Sequence, residues 1–312
     1  MKTRSLTQPR VAAVLALVYA AHRGDTEAVH DFRVASRSLR AALRTLARRR
    51  EGRLVRAARR ALRIATQSLA GARDRDVGRQ LLMKRVAATP EEKAFRRRVV
   101  GLSESDRRVA LAKCVAGWPK DLDRLLIRLL DRGETSVATV IRRTRAEAWS
   151  QRRRAIDLLQ SLGRRYDANA LHDMRRRVRS LRYAIEVLAE VDSSAQARVI
   201  KLKPLQSALG DIQDRIVLSR WLAARASRFR RSDPRLAAAL RRESARFKTQ
   251  SRKAHGGFLR LRPVRVLEGL ALHVDPHAEA PVKGHAAGRG LRASRSSRQE
   301  TGVRARPPLA RG

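Results

Sequence analysis

Cysteine, aromatic residues and carboxylates are all scarce in this chain of 312 residues, and each shortage excludes a class of protein. The single cysteine, Cys114, excludes an internal disulfide and a zinc site built from several thiolates, and it indicates a reducing, cytoplasmic setting. Aromatic residues make up 4% of the sequence, too few for the stacking platforms on which proteins hold single-stranded nucleic acid. The 29 Asp and Glu residues do not cluster, so the converging carboxylates of a two-metal phosphohydrolase are not visible. The sequence therefore predicts no catalytic residue, no metal site and no cofactor.

Positive charge is what the chain has in excess. The formal net charge is +43, and 62 of the 72 basic residues are arginine. A field of this strength attracts polyanions such as nucleic acid, an anionic membrane surface or polyphosphate. Arginine suits forked contacts to phosphate oxygens, although a GC-rich coding sequence also enriches arginine. Composition alone does not separate these two explanations.

An apolar run from Val11 to Ala21 follows three basic residues near the N-terminus. This arrangement is similar to a signal peptide. The run is too short to span a bilayer, so we expect no membrane-spanning segment. It also directly precedes the first sequence repeat, where a helical bundle needs a helix. We therefore predict a core helix here, with a signal peptide as the alternative.

Apolar residues recur at three- and four-residue spacing as far as about residue 272, which predicts an all-α fold. Helix ends are predicted near Gly24, Gly71, Thr89-Pro90, Gly117-Trp118-Pro119, Gly133, Gly163, Asp192-Ser194, Gly210, Asp233-Pro234 and Gly256-Gly257. From residue 275 to 312 Pro, Gly, Ser and Arg dominate, with eight basic and three acidic residues. This segment is predicted to be a disordered basic tail.

Two segments of the chain are copies of one helix start, DTEAVHDFRVASRSLR at 25–40 and DANALHDMRRRVRSLR at 167–182. Nine of the sixteen residues are identical at an offset of 142. A second shared stretch follows at an offset of 140 and pairs Leu69 with Leu209 and Asp74 with Asp214. The chain is therefore predicted to be an internal duplication, with halves of about 6–132 and 133–272.

In each copy the basic residues form a row beside the apolar stripe rather than opposite it. At 100° per residue the row lies about 110° around the helix from that stripe. The row members are His30, Arg33, Arg37, Arg40 and Arg44 in the first copy, and His172, Arg175, Arg179 and Arg182 in the second. A solvated charged face normally lies opposite the core, so this placement predicts a groove in which the arginines need an anion between them.

The spacing within each row suits an extended chain of phosphates. Consecutive arginines lie about 4.5 to 6 Å apart along the helix axis. The Asp-x-x-Ala start of each copy also offers helix N-terminal amides, which favour anions. A histidine beside phosphate oxygens holds its proton more tightly, so binding should strengthen toward pH 6. The alternatives are a solvated arginine face and, for the two histidines, packing or capping at the helix start.

Four carboxylates, Asp74, Asp76, Asp211 and Asp214, fall in stretches predicted to be equivalent turns. Because carboxylates are scarce in this chain, their recurrence there is informative. We predict that they cap the helix that follows and hold neighbouring arginine side chains in position. We assign them no catalytic role.

At these residues the sequence resembles the CHAD domain, the conserved histidine α-helical domain. The motifs that carry the resemblance are VHDFRVASRSLRAAL (29–43), LAGARDRDV (69–77), LHDMRRRVRSLRYAIEVL (171–188) and LKPLQSALGDIQDRIVL (202–218). The resemblance implies a CHAD domain over about 6–272, with two helical bundles related by a pseudo-twofold axis. It also implies a basic channel for inorganic polyphosphate, lined by the two rows together with Arg63 and Lys203. The Glu-x-Glu-x-Lys signature of the CYTH triphosphatase domain that precedes some members is absent, which implies a binding module rather than an enzyme.

The sequence thus favours non-enzymatic binding of inorganic polyphosphate, with polyphosphate granules as the expected location. Sequence-nonspecific binding of nucleic acid through backbone phosphates is the alternative, supported by the net charge and the basic tail. Neither a helix-turn-helix nor a zinc-finger pattern supports it. The oligomeric state is not indicated by the sequence.

Overall fold

The computed structural model describes residues 4–46, 52–84, 89–130, 136–270 and 272. Across these ranges the chain forms eleven α-helices, one short 3-10 helix and no β-strand. The α-helices are α1 (Arg4–His22), α2 (Thr26–Leu46), α3 (Gly52–Ser68), α4 (Ala70–Met83), α5 (Pro90–Ala116), α6 (Leu122–Leu130), α7 (Val137–Leu162), α8 (Ala168–Ala189), α9 (Gln196–Arg228), α10 (Pro234–Arg260) and α11 (Pro263–Glu268). The predicted all-α fold is confirmed.

The helices form two bundles, each with its own apolar core. One core joins α1, α2, α3 and α6 around fully buried side chains that include Phe32, Leu62 and Leu126. The other joins α7 to α11 around Met174 and Phe258. Each bundle therefore contains one copy of the repeated helix, α2 in the first and α8 in the second.

Two smaller clusters of buried residues join the bundles. Leu82 and Val99 of α4 and α5 pack with Leu218 and Leu222 of α9 and with residues of α10. A second cluster brings together α1, α2, α7 and α8. Direct contacts of α2 with α8, and of α4 with α9, complete the junction. The two copies of the basic row are thus held beside one another by apolar packing on either side.

The apolar run near the N-terminus packs as a core helix. Val11, Val14, Val18 and Ala21 are buried at the three- and four-residue spacing of one helix face. Among the residues that the structure describes, no helix is long and apolar enough to cross a membrane.

Two of the predicted helix ends are wrong. Helix α9 continues through Gly210, because Leu205, Leu209 and Ile212 form one buried stripe across that position. Burial of this stripe outweighs the cost of about 1 kcal/mol for a glycine inside a helix. Helix α10 likewise continues to Arg260, past the end that was predicted at Gly256-Gly257. The continuing helix allows Phe258 to reach the core.

Two further expectations fall on residues that the structure does not describe. The boundary between the halves near Gly133 lies in the undescribed segment 131–135. The basic tail at 275–312 also lies outside the described residues. Both stay predictions.

Candidate polyanion-binding site

Both copies of the repeated helix begin at an aspartate that caps its own helix. Asp25 Oδ1 accepts a hydrogen bond from the Ala28 N–H at 2.8 Å. Asp167 Oδ1 accepts from the Asn169 and Ala170 N–H groups at 2.8 and 2.9 Å. One N-terminal amide of α2 and two of α8 are therefore already bonded within the protein, and the capping role belongs to the aspartates rather than to the histidines.

The apolar stripe of each helix fixes the direction of its basic row. In α2, Val29, Phe32, Leu39 and Leu43 are fully buried. In α8, the equivalent stripe is buried at Leu171, Met174, Val178, Leu181 and Ile185. Because each row lies beside its stripe, the rows are directed toward the junction between the two bundles.

Four arginines from the two rows come together at this junction: Arg33, Arg37, Arg175 and Arg179. We call them the central arginines. Burial, followed by the charge of Arg37, lowers the pKa of Arg33 to about 10 and that of Arg179 to about 9. Burial also lowers the pKa of Arg175, and the charge of Arg37 contributes to that shift. Each of the three therefore lies within the field of Arg37, so the repeated rows form one cluster of like charge.

Only part of the donor capacity of this cluster is used by the protein. Arg33 Nη1 donates to the Thr66 carbonyl oxygen at 2.5 Å. Arg37 Nε donates to the Tyr183 hydroxyl at a longer 3.4 Å. A guanidinium carries five N–H donors, so this geometry leaves donors for an additional acceptor.

Two carboxylates face the central arginines, one from each copy of the second repeated stretch. Asp74 of α4 lies in the field of Arg33 and Arg175, and Asp214 of α9 lies in that of Arg175. Burial raises the pKa of both carboxyls, although the arginines oppose that shift. Two carboxylates therefore stand against four arginines, and a positive surplus remains at the junction.

The prediction that these aspartates cap a following helix is wrong. Helix α4 begins after Leu69 without a side-chain cap, and Asp74 lies inside the helix. Asp211 and Asp214 both lie within the uninterrupted α9. Their carboxylates are consequently free to face other side chains rather than a helix start.

Asp76 and Asp211 pair with arginines outside the two rows. Asp76 is 1% exposed and accepts from Arg107 Nε at 2.6 Å. Arg107 also donates to the Gly24 carbonyl oxygen and the Thr26 hydroxyl, so this pair fastens α5 to the start of α2. Asp76 lies about 200° around α4 from Asp74, which directs it to the opposite side.

Asp211 is exposed and lies 3.2 Å from Arg215 on its own helix. Like Asp76, it therefore does not hold a row arginine in position. Of the four aspartates singled out in the sequence, Asp74 and Asp214 are the two that face the central arginines.

The two rows end in different surroundings. Burial and the charges of Arg44, Arg59 and Arg63 lower the pKa of Arg40 to about 10, so the first row ends in a basic cluster. In the second row, Arg182 Nη1 pairs with Glu186 Oε1 at 2.6 Å.

The outermost predicted residues are accessible from solvent. Arg44, Arg63 and Lys203 are exposed, and Arg44 pairs with Glu147 of α7 at 2.9 Å. His30 and His172 are exposed at the starts of the rows. Partial burial and the charges of Arg73, Arg37 and Arg33 lower the pKa of His30, whereas Asp31 raises it.

Three residues of this region are not singled out by the sequence motifs. Tyr183 is buried and hydrogen-bonded to Arg37, and it lies inside the second repeated motif directly after the row residue Arg182. Arg73 contributes to the electrostatic environment of Arg33 and His30, and it precedes Asp74 in sequence. Arg59 lies one helical turn before Arg63 and joins the cluster around Arg40. In each case the signal in the sequence was a position next to a motif residue or one helical turn from it.

The arrangement offers positive charge and hydrogen-bond donors along two adjoining helices. Within the described ranges, no three His, Cys, Asp or Glu side chains come together in a way that could hold a metal ion. The positive charge and the N–H donors of the row residues suit the recognition of anionic oxygens.

Known proteins share this helical architecture. The family model of the CHAD domain matches residues 6–223. Among similar solved structures, the CHAD domain from the plant Ricinus communis has a TM-score of 0.57 and 21% identity, covering 87% of this chain and 91% of that one. PptA from Streptomyces chartreusis has a TM-score of 0.62 and 17% identity, covering 82% of this chain and 96% of that one. No curated protein matches the chain.

At these identities the two solved structures show the fold alone. The family model carries further information, since the CHAD domain is generally a polyphosphate-binding domain. Its match spans well over half of the sequence and includes both copies of the repeated motif. The chain therefore belongs to the CHAD-domain family.

Proposed function

We propose that this protein binds inorganic polyphosphate without chemically changing it, and that the polymer lies along the junction of α2 and α8 in a channel lined by both rows. The observation that carries the proposal is the gathering of Arg33, Arg37, Arg175 and Arg179 from two copies of one motif. In this proposal His30 and His172 begin the two rows, and Arg40, Arg63, Arg182 and Lys203 extend them. Binding of this kind would recruit the protein to polyphosphate granules in the cytoplasm.

The electrostatic state of the junction supports an anionic ligand. Each central arginine lies within the field of another, and burial weakens the screening of their repulsion by water. Asp74 and Asp214 offset this repulsion only in part. Phosphate oxygens placed between the guanidinium groups would convert repulsive pairs into charge-assisted hydrogen bonds.

The half-buried position of the row favours a slender polyanion over duplex nucleic acid. Duplex DNA carries its phosphates on the outside of a broad cylinder, so it reaches exposed arginines more readily than arginines between two packed helices. Polyphosphate has no bases or sugars, and each of its units carries charge. We therefore expect the junction to bind polyphosphate, while DNA contacts the general basic surface.

A competition experiment at two salt concentrations tests the proposal. Labelled long-chain polyphosphate is bound to the protein, and duplex DNA is added at low and at near-physiological salt. We expect polyphosphate binding to persist at the higher salt while DNA binding is lost, because the exposed surface is screened more strongly than the junction. Equal and equally salt-sensitive binding of the two polymers would instead support the nucleic-acid alternative.

The affinity for polyphosphate should increase as the pH falls from about 7.5 to 6. In the free protein the pKa of His30 is lowered by burial and by the neighbouring arginines. Phosphate oxygens beside the imidazole would raise this pKa, so binding takes up a proton and is favoured at lower pH. Uptake of one proton limits the gain to about tenfold per pH unit.

Binding isotherms of the wild type and of His30→Gln across this pH range measure the contribution of His30. The variant should lose part of the pH dependence. His22→Gln is the matched control, because His22 packs against the Trp118 ring with centroids 5.0 Å apart and is not a member of either row. Identical pH profiles for the wild type and His30→Gln would contradict a position of His30 beside the polymer.

A further inference from the structure

Two pockets at the junction are related by the internal duplication. One, of about 290 Å³, is lined by Arg44 of α2, Gln151 of α7, and Asp173, Arg176, Arg177 and Ser180 of α8. The other, of about 520 Å³, is lined by residues of α1, α2 and α8 that include Arg10, Ser38 and Glu186, by Glu190 directly after α8, and by Gln196 at the start of α9. We call them the basic pocket and the acidic pocket.

The repeat offset of 142 relates residues of the two pockets. Ser180 in the basic pocket corresponds to Ser38 in the acidic pocket. Arg177 and Arg44 line the basic pocket, and their counterparts Ala35 and Glu186 line the acidic pocket. The duplicated pockets have therefore diverged at matching positions, and the direction of the divergence is a change of charge.

The basic pocket continues the first row. Arg44 follows Arg40 on α2, and these two arginines lie in the same electrostatic cluster as Arg59 and Arg63. Arg177 has a buried Nε atom without a hydrogen-bond acceptor in the described protein. Such a donor is costly to leave unpaired, and an anion in the pocket would provide its acceptor.

The protein's own carboxylates satisfy only part of the basic pocket. Glu147 pairs with Arg44 at 2.9 Å, and Asp173 lies 3.5 Å from Arg176. Both members of the Asp173–Arg176 pair are more than half exposed, so water screens their attraction and a phosphate can compete for Arg176.

In the acidic pocket the lining arginine, Arg10, forms an ion pair with Glu190. Glu186, which also lines this pocket, pairs with Arg182 Nη1 at 2.6 Å. Arg10 also donates to the Leu6 carbonyl oxygen at 2.7 Å, which fixes it further to the protein. An entering phosphate would meet two carboxylates whose charge repels it, and it would have to displace existing ion pairs.

We propose that a bound polyphosphate chain extends from the central arginines into the basic pocket only, with Arg44, Arg176 and Arg177 as contacts, while Glu186 and Glu190 end the binding site on the other side. The inference rests on the proposed function, because it assigns the path of the same ligand. It predicts that residues equivalent in the duplication contribute unequally to binding.

The first test compares Arg176→Ala/Arg177→Ala with Arg241→Ala/Arg242→Ala, using long-chain polyphosphate as the ligand. The control pair is exposed on α10 and removes the same charge. The pocket variant should lose affinity by at least about tenfold, since two charge-assisted contacts disappear. The slope of log affinity against log salt should also fall by about one for each lost contact. The control should stay within about twofold of the wild type in affinity, as expected for screened surface charge.

The second test removes the barrier in the acidic pocket. Glu186→Gln should increase the affinity for long chains a few-fold, because the charge of Arg182 is then no longer offset by a neighbouring carboxylate and a repelling charge is lost. Glu104→Gln is the matched control, since Glu104 pairs with Arg79 at 3.3 Å outside both pockets. The control should not change the affinity.

The outcomes separate failure of the inference from failure of the proposed function. A wild type that does not bind polyphosphate refutes both. A wild type that binds, combined with Arg176→Ala/Arg177→Ala behaving like its control or with Glu186→Gln giving no gain, refutes the one-sided path alone. Thermal unfolding verifies that each variant is folded, and Glu186→Gln decides the matter if the double arginine variant does not fold.

Discussion

Replacing Arg37 and Arg179 together with alanine should lower the affinity for long-chain polyphosphate by at least about a hundredfold at near-physiological salt. The two side chains are equivalent in the duplication and lie in each other's field at the junction. Each offers forked donors to phosphate oxygens, and a charge-assisted hydrogen bond contributes about 1.5 to 3 kcal/mol. Arg37 and Arg179 lie in the middle of the two rows. Their loss would therefore interrupt the line of phosphate contacts between the two ends of the proposed site.

Two comparisons distinguish a specific site from a general basic field. Arg241→Ala/Arg242→Ala removes the same charge from the exposed surface of α10, and its affinity should change by less than about twofold because water and salt screen that surface. Arg37→Lys/Arg179→Lys keeps the charge but removes the fork, so its affinity should lie between those of the wild type and the alanine variant. Similar losses in the two alanine variants would mean that net charge alone determines binding.

Long-chain polyphosphate should raise the melting temperature of the protein by roughly 4 to 5 °C at a concentration of 100 times Kd. A ligand at that concentration adds about 2.7 kcal/mol to the stability of the folded state. With an unfolding entropy of about 2.1 cal/mol/K per residue, 1 kcal/mol corresponds to about 1.5 to 1.8 °C in a chain of this length. The gain has a structural source, because phosphate relieves repulsion among arginines that the free protein holds together. Inorganic phosphate at the same phosphorus concentration should give a much smaller shift.

The same repulsion should destabilise the protein when no ligand is bound. Arg179→Met should raise the melting temperature in the absence of ligand by a few degrees, because it removes a buried charge and keeps the apolar side-chain volume. The variant should also show a smaller shift with polyphosphate. Arg241→Met, at an exposed position, is the control and should leave both quantities unchanged. A destabilised Arg179→Met would show that the free protein fully compensates this guanidinium, and would contradict a ligand-dependent junction.

The helices that carry the rows could be predicted from the sequence because local signals agree there. Asp25 and Asp167 cap the repeated helices, and the apolar stripe beside each row fixes its direction. The helix ends at Gly210 and at Gly256-Gly257 were predicted wrongly for a complementary reason. Buried leucines and Phe258 stabilise the continuing helices there, and this tertiary gain is invisible in a local glycine signal.

The repeat predicted which arginines share a face, but it did not reveal their partners. Asp74 and Asp76 are two residues apart in sequence, yet one faces the central arginines and the other binds Arg107 on α5. Tyr183 has no tyrosine at the matching position of the first copy, where Ala41 stands, so comparison of the copies did not select it. The difference between Arg44 and its counterpart Glu186 was visible in the sequence. Its meaning depends on the pocket that each residue lines.

A crystal structure of the protein with a short, length-defined polyphosphate would show whether the two duplicated rows hold one polymer between them. We predict a continuous chain of phosphate density along the junction of α2 and α8, in contact with Arg33, Arg37, Arg175 and Arg179. Beyond Arg40 the density should continue toward Arg44 and Arg177 and be absent beside Glu186. Phosphates bound only to exposed surface arginines, with the central arginines unoccupied, would contradict the claim that the duplicated rows form one binding site.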